Sequence, residues 1–318
     1  MVEKALGTAL GKGMTRVFVS LGIFIGVVSA VLQFGSYVFS AKFMRETGKS
    51  TFSLMAPAFA VMSMPALLAL PFFMGPDVPP LSEYALAALL CMACNVAGST
   101  ALFFMLKTVD ASRVTPLLAI KVPMLALFFF AMGIETYSAW QWIGVALVVP
   151  AAWFLCKSGR MIPPATLAWL VCACACFGGS DYYIKTLLDA FGGCGSLFRV
   201  SMLAFLAAYA SGGIFGAVGL LCGFVPTRAE FVRHVLPFSC FWFFSLALLF
   251  VSFAMLGIIN GTIVQSARGL FAVVAGWFIA RAGFEKLEEK VPLPVFIKRT
   301  ASALLIILAV LLFNLCKK

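Results

Sequence analysis

The sequence predicts an all-α membrane protein whose ten transmembrane helices form two inverted five-helix repeats around a central cavity. Three observations predict this fold class: the apolar composition, the length of the apolar runs, and a faint repeat between the halves of the chain. Of the 318 residues, 63% are hydrophobic and only 11% are charged. Soluble proteins average about 45–50% apolar and about 25% charged residues, so most side chains here must face lipid.

The apolar runs are long enough to cross a bilayer. A spanning helix needs about 20 apolar residues, and only helices and closed barrels satisfy their backbone hydrogen bonds in hydrocarbon. Because the runs do not alternate as barrel strands do, they predict helices. The shortest separation between two runs is the single residue Gly257, between the eighth and the ninth. The expected spans are residues 17–39, 51–74, 82–106, 112–133, 138–156, 165–187, 196–221, 235–256, 258–280 and 294–315.

The two halves of the chain show weak self-similarity. A shift of 144 residues superposes Gly35-Ser36 on Gly179-Ser180, and a shift of 147 residues places Lys121 on Arg268. Two shifts that agree within three residues indicate an internal repeat.

The basic segment at residues 157–160 marks the boundary between the halves, so we expect a first repeat over residues 1–157 and a second over residues 158–318. Five spans is an odd number. The second repeat must therefore have the opposite membrane orientation, as in many secondary transporters.

The net charge of +11 follows the expected membrane topology. The odd-numbered loops carry 14 of the 23 Lys and Arg residues, and the even-numbered loops and the tails carry six. The positive-inside rule then places the odd loops in the cytoplasm and both tails outside, although the basic residues before the first span favour the reverse. We expect a multi-pass protein of a bacterial inner membrane, in contact with the lipid bilayer and without a nucleic-acid partner.

Three basic residues lie within apolar runs. Lys121 and Arg268 are about ten residues into their spans and therefore about 15 Å deep, near the bilayer centre. Their side chains reach only about 6 Å, too short to bring the charge to the interface. Such a charge costs about 2.5–3.5 kcal/mol, so each must face a partner or a cavity. Arg199 is close to the end of its span and could either reach the interface or face the cavity.

The sequence allows two interpretations of Lys121 and Arg268, the two cations near the bilayer centre. They form a structural ion pair with Asp181, or they meet at the membrane midplane as a substrate site. Gln265 lies one helical turn before Arg268 on the same face. Other polar side chains nearby could orient a ligand or simply join helices by hydrogen bonds. The candidate substrate-binding residues are Lys121, Arg268, Gln265, Gln33, Tyr37, Asn95, Asp181 and Tyr182.

No catalytic or nucleotide-hydrolysing motif is recognisable. The sequence has no phosphate-binding glycine-rich loop followed by Lys-Ser/Thr, and no carboxylate pair or metal-ligand cluster at membrane depth. Cys172, Cys174 and Cys176 alternate along a helix and cannot converge on one metal ion. We therefore expect neither an enzyme nor a cofactor or metal. The single histidine, His234, is at a loop edge, where solvent exposure is expected.

Short motifs accompany the fourth and fifth spans. Residues 112–118 (SRVTPLL) open the fourth span, 133–135 (GIE) follow it, and 141–147 (QWIGVAL) lie in the fifth. The second half carries a looser counterpart in residues 265–270 (QSARGL) and 299–302 (RTAS). This pattern resembles the drug/metabolite transporter superfamily, in particular its EamA-like ten-helix members.

The resemblance implies a ten-span bundle that moves a small metabolite by alternating access. In the nucleotide-sugar and phosphate-exchanging branches, basic residues of the fourth and ninth helices bind phosphate. Lys121 and Arg268 match those positions, so the resemblance implies an anionic small-molecule substrate. From the residues themselves, we expect coupling by exchange or by proton symport through Asp181. The alternatives are an exporter of neutral or amphipathic compounds, such as amino acids or drugs, and a non-transport membrane scaffold or intramembrane enzyme. A monomer or a homodimer is expected.

Overall fold

The computed structural model describes residues 12–107, 109–133, 136–156, 162–281 and 291–315. Within these ranges the chain forms helices and no β-strand. Eight helices are long and apolar enough to cross a membrane, which supports a multi-pass integral membrane protein.

Most of the chain runs as long single helices. Three of the candidate spans are interrupted, by a 3-10 turn at Leu118–Ile120, by a π-helical turn at Phe231–Val235 and by a break at Ala267. The helices are α1 (Lys12–Thr47), α2 (Phe52–Phe73), α3 (Leu81–Leu106), α4 (Ala111–Leu117), α5 (Lys121–Ala131), α6 (Ala139–Cys156), α7 (Pro164–Ala190), α8 (Leu197–Leu221), α9 (Arg228–Glu230), α10 (Leu236–Leu256), α11 (Ile258–Ser266), α12 (Arg268–Arg281) and α13 (Leu293–Leu315).

The observed helices agree with the predicted spans in order and place. The eight candidate spans are α1, α2, α3, α4–α5, α7, α8, α9–α10 and α11–α12. Helices α6 and α13 coincide with the fifth and tenth predicted spans but are not among these eight, so the count of ten stays a prediction. Gly257 separates α10 from α11 with a φ of 78°, a backbone conformation that favours glycine.

Some predictions concern parts of the chain outside the described residues. These are the repeat boundary at residues 157–158, residues 134–135 of the motif after the fourth span, and Lys4 among the basic residues before the first span. The end of the first span differs from the prediction. Helix α1 continues to Thr47, so Lys42 and Arg45 lie on its last turns and not in a loop.

Helix packing joins the two halves of the chain. The five most extensive helix contacts among the described residues are α2 with α8, α3 with α7, α1 with α10, α6 with α13, and α4 with α12. Each of them pairs a helix from residues 12–156 with a helix from residues 164–315. The interior of the bundle is therefore formed between the halves.

Helices α2 and α8 approach closely through small residues. A Cβ atom built on Gly216 would lie 2.5 Å from the backbone nitrogen of Ala60, and one built on Gly219 would lie 2.4 Å from the Cβ of Ala56. Small residues are common between membrane helices because they allow the backbones to pack against each other.

Gly216→Ala is expected to destabilise the protein. Helix propensity alone would favour alanine by about 1 kcal/mol. Overpacking of a tight interface typically costs about 1–3 kcal/mol, and backbone atoms of α2 cannot move aside as a flexible side chain could. Thermal unfolding in detergent should therefore begin at a lower temperature. Gly193→Ala is the control, since no heavy atom lies within 4 Å of its added Cβ. A Gly216→Ala protein more stable than the wild type would contradict this interpretation of the interface.

Arg199 forms an ion pair with the loop that follows α2. Its Nη1 atom lies 2.6 Å from Asp77 Oδ2, and its Nε donates to the Phe73 carbonyl at 3.0 Å. The Arg199 hydrogen bond holds the pKa of Asp77 below its ordinary value. The sequence left two possibilities for Arg199: a side chain that reaches the interface or one that faces the cavity. The structure shows neither, because Arg199 is paired with Asp77. It joins the end of α2 to the start of α8.

An ion pair and a histidine–carboxylate contact lie at the opposite end of α2. Lys49 Nζ is 2.7 Å from Glu230 Oε1, and His234 Nε2 is 3.4 Å from Glu46 Oε2. The expectation that His234 is solvent-exposed was wrong. The π-helical turn directs it toward α1, where it is buried and packs edge-on against Phe43.

Candidate functional site

Both deep cations begin a helical segment just after an interruption. Lys121 is the first residue of α5, after the 3-10 turn, and Arg268 is the first residue of α12, after the break at Ala267. Pro123 has no N–H group to donate to the Ala119 carbonyl four residues earlier. The regular hydrogen-bond ladder is therefore disturbed next to Lys121, as it is next to Arg268.

The two interrupted segments cross each other at close range. A Cβ atom built on Gly269 would lie 2.7 Å from the Cα of Pro116. Only glycine allows this approach without a backbone shift. The crossing brings the first turn of α12 against α4, so Lys121 and Arg268 share the centre of the bundle.

Lys121 is neutralised by a carboxylate of α7. Its Nζ atom lies 2.7 Å from Asp181 Oδ2 and also donates a hydrogen bond to Gln265 Oε1 at 3.0 Å. Asp181 Oδ2 accepts a further hydrogen bond, of 3.2 Å, from Thr262 Oγ1. Three helices, α5, α7 and α11, therefore meet at one buried ion pair.

Arg268 is held by neutral acceptors. Its Nη1 atom donates to Gln33 Oε1 at 2.5 Å and to the Tyr37 hydroxyl at 3.2 Å. Gln33 Oε1 also accepts from Gln265 Nε2 at 2.9 Å. Because Gln265 bonds to Lys121 as well, one continuous network runs from α7 to α1. We call it the central cluster, and its members are Asp181, Thr262, Lys121, Gln265, Gln33, Arg268 and Tyr37.

The central cluster is buried and carries a net positive charge. Lys121 is 3% exposed and Arg268 is 4% exposed, so neither cation faces lipid. Two cations and one carboxylate leave one positive charge within the cluster. In the described part of the chain, Asp181 is the carboxylate paired with Lys121, and no ion pair with Arg268 is present.

The structure brings together six of the eight predicted site residues. Tyr182 does not join them, since it follows Asp181 directly and points about 100° away around α7, with its ring against Phe128 and Phe129. Asn95 is buried on α3, and its Oδ1 atom has no hydrogen-bond partner among the described residues. Thr262 was missed, although its position one turn before Gln265 placed it on the same helix face.

The sequence and the fold give different results when compared with known proteins. No family model and no curated protein matches the sequence. The fold is similar to that of a solved crystal structure, with a TM-score of 0.59 at 14% identity, over 94% of this chain and 99% of the other. Since the match covers nearly all of both chains, the similarity extends over the whole fold. At this identity the similarity concerns the fold alone, and the resemblance to the drug/metabolite transporters stays a prediction.

Proposed function

We propose that this chain is a secondary active transporter that moves a small anionic metabolite across the membrane by alternating access. The observation that carries the proposal is the uncompensated positive charge of the central cluster. A buried charge in the membrane is costly unless it is paired. Arg268 is held by the neutral oxygens of Gln33 and Tyr37, which an anionic ligand would outcompete because charge-assisted hydrogen bonds are stronger.

The helix pairing supports a ten-span bundle of two inverted repeats. If the first five long helical segments are matched in order to the last five, the α3–α7 pair corresponds to the α10–α1 pair. The other three major pairs, α2–α8, α4–α12 and α6–α13, each correspond to themselves. A two-fold axis between the halves produces this pattern, and an odd number of spans in each half would place the axis in the membrane plane. Lys121 and Arg268 would be counterparts under this axis. The proposed family, the EamA-like drug/metabolite transporters, has this architecture.

Ion pairs at both ends of α2 are suited to gating. Lys49–Glu230 and Asp77–Arg199 each join the first half of the chain to the second, at opposite ends of that helix. Alternating access requires that the halves separate on one side at a time. In the proposed cycle one pair opens while the other holds.

Asp181 provides a route for coupling. An anion that reaches Lys121 competes with the Asp181 carboxylate for the same Nζ atom. Transfer of a proton from the water-filled access path to an Asp181 oxygen would remove that competition and free Lys121 for the substrate. Transport would then follow the proton gradient, or the loaded carrier would exchange one anion for another.

Uptake into proteoliposomes tests the proposed function. A panel of radiolabelled organic phosphates and carboxylates is offered to the wild type, and the transported compound is then offered to Lys121→Ala and Arg268→Ala. We expect uptake by both variants to fall at least about tenfold, because a charged hydrogen bond contributes about 1.5–3 kcal/mol. Lys185→Ala, which removes an exposed cation outside the central cluster, should transport normally. Undiminished uptake by both cluster variants would refute the assignment.

A second candidate is an exporter of neutral or amphipathic compounds. The ion pair between Lys121 and Asp181 favours it, because that pair could be structural and leave only one charge in the cluster. The 33 phenylalanines would then form the walls of the substrate path. A thermal-shift screen separates the candidates. Stabilisation by organic phosphates favours the anion carrier, and stabilisation by neutral drugs or zwitterionic aromatic amino acids favours the exporter.

A further inference from the structure

We infer that a second subsite adjoins the central cluster and accepts the ring-bearing body of an organic anion. This inference rests on the proposed function, since it assumes that Arg268 binds the charged end of the same molecule. The subsite is formed by α3, α8 and α10, and its polar members are Asn95, Ser99, Tyr209 and Trp242.

These four residues carry buried polar atoms that are poorly satisfied. Asn95 Oδ1 and Ser99 Oγ have no hydrogen-bond partner among the described residues, and Tyr209 Oη and Trp242 Nε1 face each other without a well-directed hydrogen bond. Each residue is at least nine-tenths buried. Native proteins satisfy the large majority of their buried polar groups, and the exceptions often belong to functional sites. A region that gathers such groups indicates a ligand that would complete their hydrogen bonds.

Contacts at both ends of one stripe on α3 place Asn95 and Ser99. Cys91, Asn95, Ser99 and Phe103 are spaced by four residues and share a helix face. At one end, Cys91 Sγ lies 3.6 Å from the hydroxyl of Ser180, the neighbour of Asp181. At the other end, the rings of Phe103 and Trp242 are 6.5 Å apart. Asn95 and Ser99 therefore lie between the ion pair and the aromatic residues of α10.

The aromatic residues connect this stripe to the free cation. The rings of Tyr37 and Trp242 are 5.9 Å apart, and the Tyr37 hydroxyl accepts the hydrogen bond from Arg268. Tyr209 lies close to both Trp242 and Cys91. The contacts thus form a circuit from Asp181 through the central cluster to Tyr37 and Trp242, and back along α3. Asn95, Ser99, Tyr209 and Trp242 all lie on the part of the circuit beyond Arg268.

The chemistry of these groups describes the ligand. The Asn95 amide oxygen accepts, the Trp242 indole N–H donates, and the two hydroxyls can do either. The rings of Tyr37 and Phe103 are buried against Trp242, and a planar ligand ring would stack among them when the two halves separate. The ligand that fits is an organic anion with a planar ring that carries hydroxyl, amino or carbonyl groups. An inorganic anion or a short carboxylate would satisfy Arg268 and leave the other groups unsatisfied.

Three probes of increasing size test the subsite in the purified full-length protein. Acetate supplies the charge, benzoate adds the ring, and 4-hydroxybenzoate adds a hydroxyl. We expect the unfolding temperature of the wild type to rise most with 4-hydroxybenzoate, less with benzoate and least with acetate. Equal shifts for the three anions, or none for the two that carry a ring, would overturn the inference.

Two substitutions that each remove one hydroxyl group distinguish a binding role from a structural role. Ser99→Ala removes an unsatisfied hydroxyl, and Tyr209→Phe removes a hydroxyl whose contact with Trp242 is poorly directed, so the unliganded variants should be about as stable as the wild type. With these variants, the shift caused by 4-hydroxybenzoate should fall to that of benzoate. A lower unfolding temperature of the unliganded variants, with the preference for 4-hydroxybenzoate intact, would show a structural role.

Arg268→Gln distinguishes failure of the subsite from failure of the proposed function. If Arg268 binds the charged end, this variant should lose the shift with all three anions. Shifts that survive in Arg268→Gln would contradict the anion-carrier proposal itself. Shifts that vanish in Arg268→Gln, together with an unaltered hydroxyl preference in Ser99→Ala and Tyr209→Phe, would leave the carrier proposal intact and remove the subsite.

Discussion

Asp181→Asn is expected to destabilise the protein by about 3–5 kcal/mol, because it leaves the Lys121 ammonium buried without a counter-ion. The pair is 2.7 Å long, and its side chains are 4% and 6% exposed, so solvent cannot take over the role of the carboxylate. Removal of Asp181 would also raise the charge of the central cluster from one to two positive charges. Thermal or denaturant unfolding in detergent measures the effect.

The exposed pair Lys185–Asp189 on the same helix is the matched control. Its side chains are 46% and 64% exposed, and such surface pairs contribute at most about 1 kcal/mol. Asp189→Asn should therefore have little effect. Equal stability losses for Asp181→Asn and Asp189→Asn would show that Asp181 is not a buried counter-ion.

A double substitution separates stability from transport. Lys121→Met combined with Asp181→Asn removes both charges, and replacement of a buried ion pair by less polar groups is often neutral. We expect the double variant to regain most of the stability that Asp181→Asn loses, while anion uptake stays as low as in Lys121→Ala because the Lys121 cation is missing. If the pair were only structural, uptake would return together with stability.

Depth and helix face made much of the central cluster predictable from the sequence. Position along a spanning helix determines depth, so Lys121 and Arg268 could be placed near the midplane from their distance to the span ends. Helical spacing likewise put Gln265 on the face of Arg268. Asp181 was a rare carboxylate within an apolar run, which limited the choice of counter-ion.

The rotation of each helix about its axis and the contacts between residues distant in sequence could not be predicted from the sequence. Tyr182 adjoins Asp181 along the chain, yet one residue rotates the side chain by about 100°, toward Phe128. Arg199 pairs with Asp77 in a loop that is distant in sequence. Trp242 and Tyr209 lie among many aromatic residues that a sequence cannot divide into lipid-facing and interior ones, because both environments are apolar.

Gln33→Glu should lower anion transport by about 10–100-fold and leave the protein folded. The new carboxylate would take the place of the Gln33 amide oxygen that now lies 2.5 Å from Arg268 Nη1. A hydrogen bond to a charged group contributes about 1.5–3 kcal/mol, and each 1.4 kcal/mol corresponds to about tenfold in affinity. A substrate anion would have to displace this built-in competitor, and the cluster would no longer carry excess positive charge.

The sign of the stability change distinguishes competition from damage. An added carboxylate beside Arg268 forms a pair where none was present in the described structure, so unfolding should occur at the same temperature or higher. Gln141→Glu is the matched control, since Gln141 is also buried but accepts its hydrogen bond from the backbone nitrogen of Ser138, outside the central cluster. That variant should transport normally. Wild-type uptake of the anion by Gln33→Glu would show that Arg268 does not bind the anion. An anionic ligand of Arg268 would have to compete with the new carboxylate for the same guanidinium group.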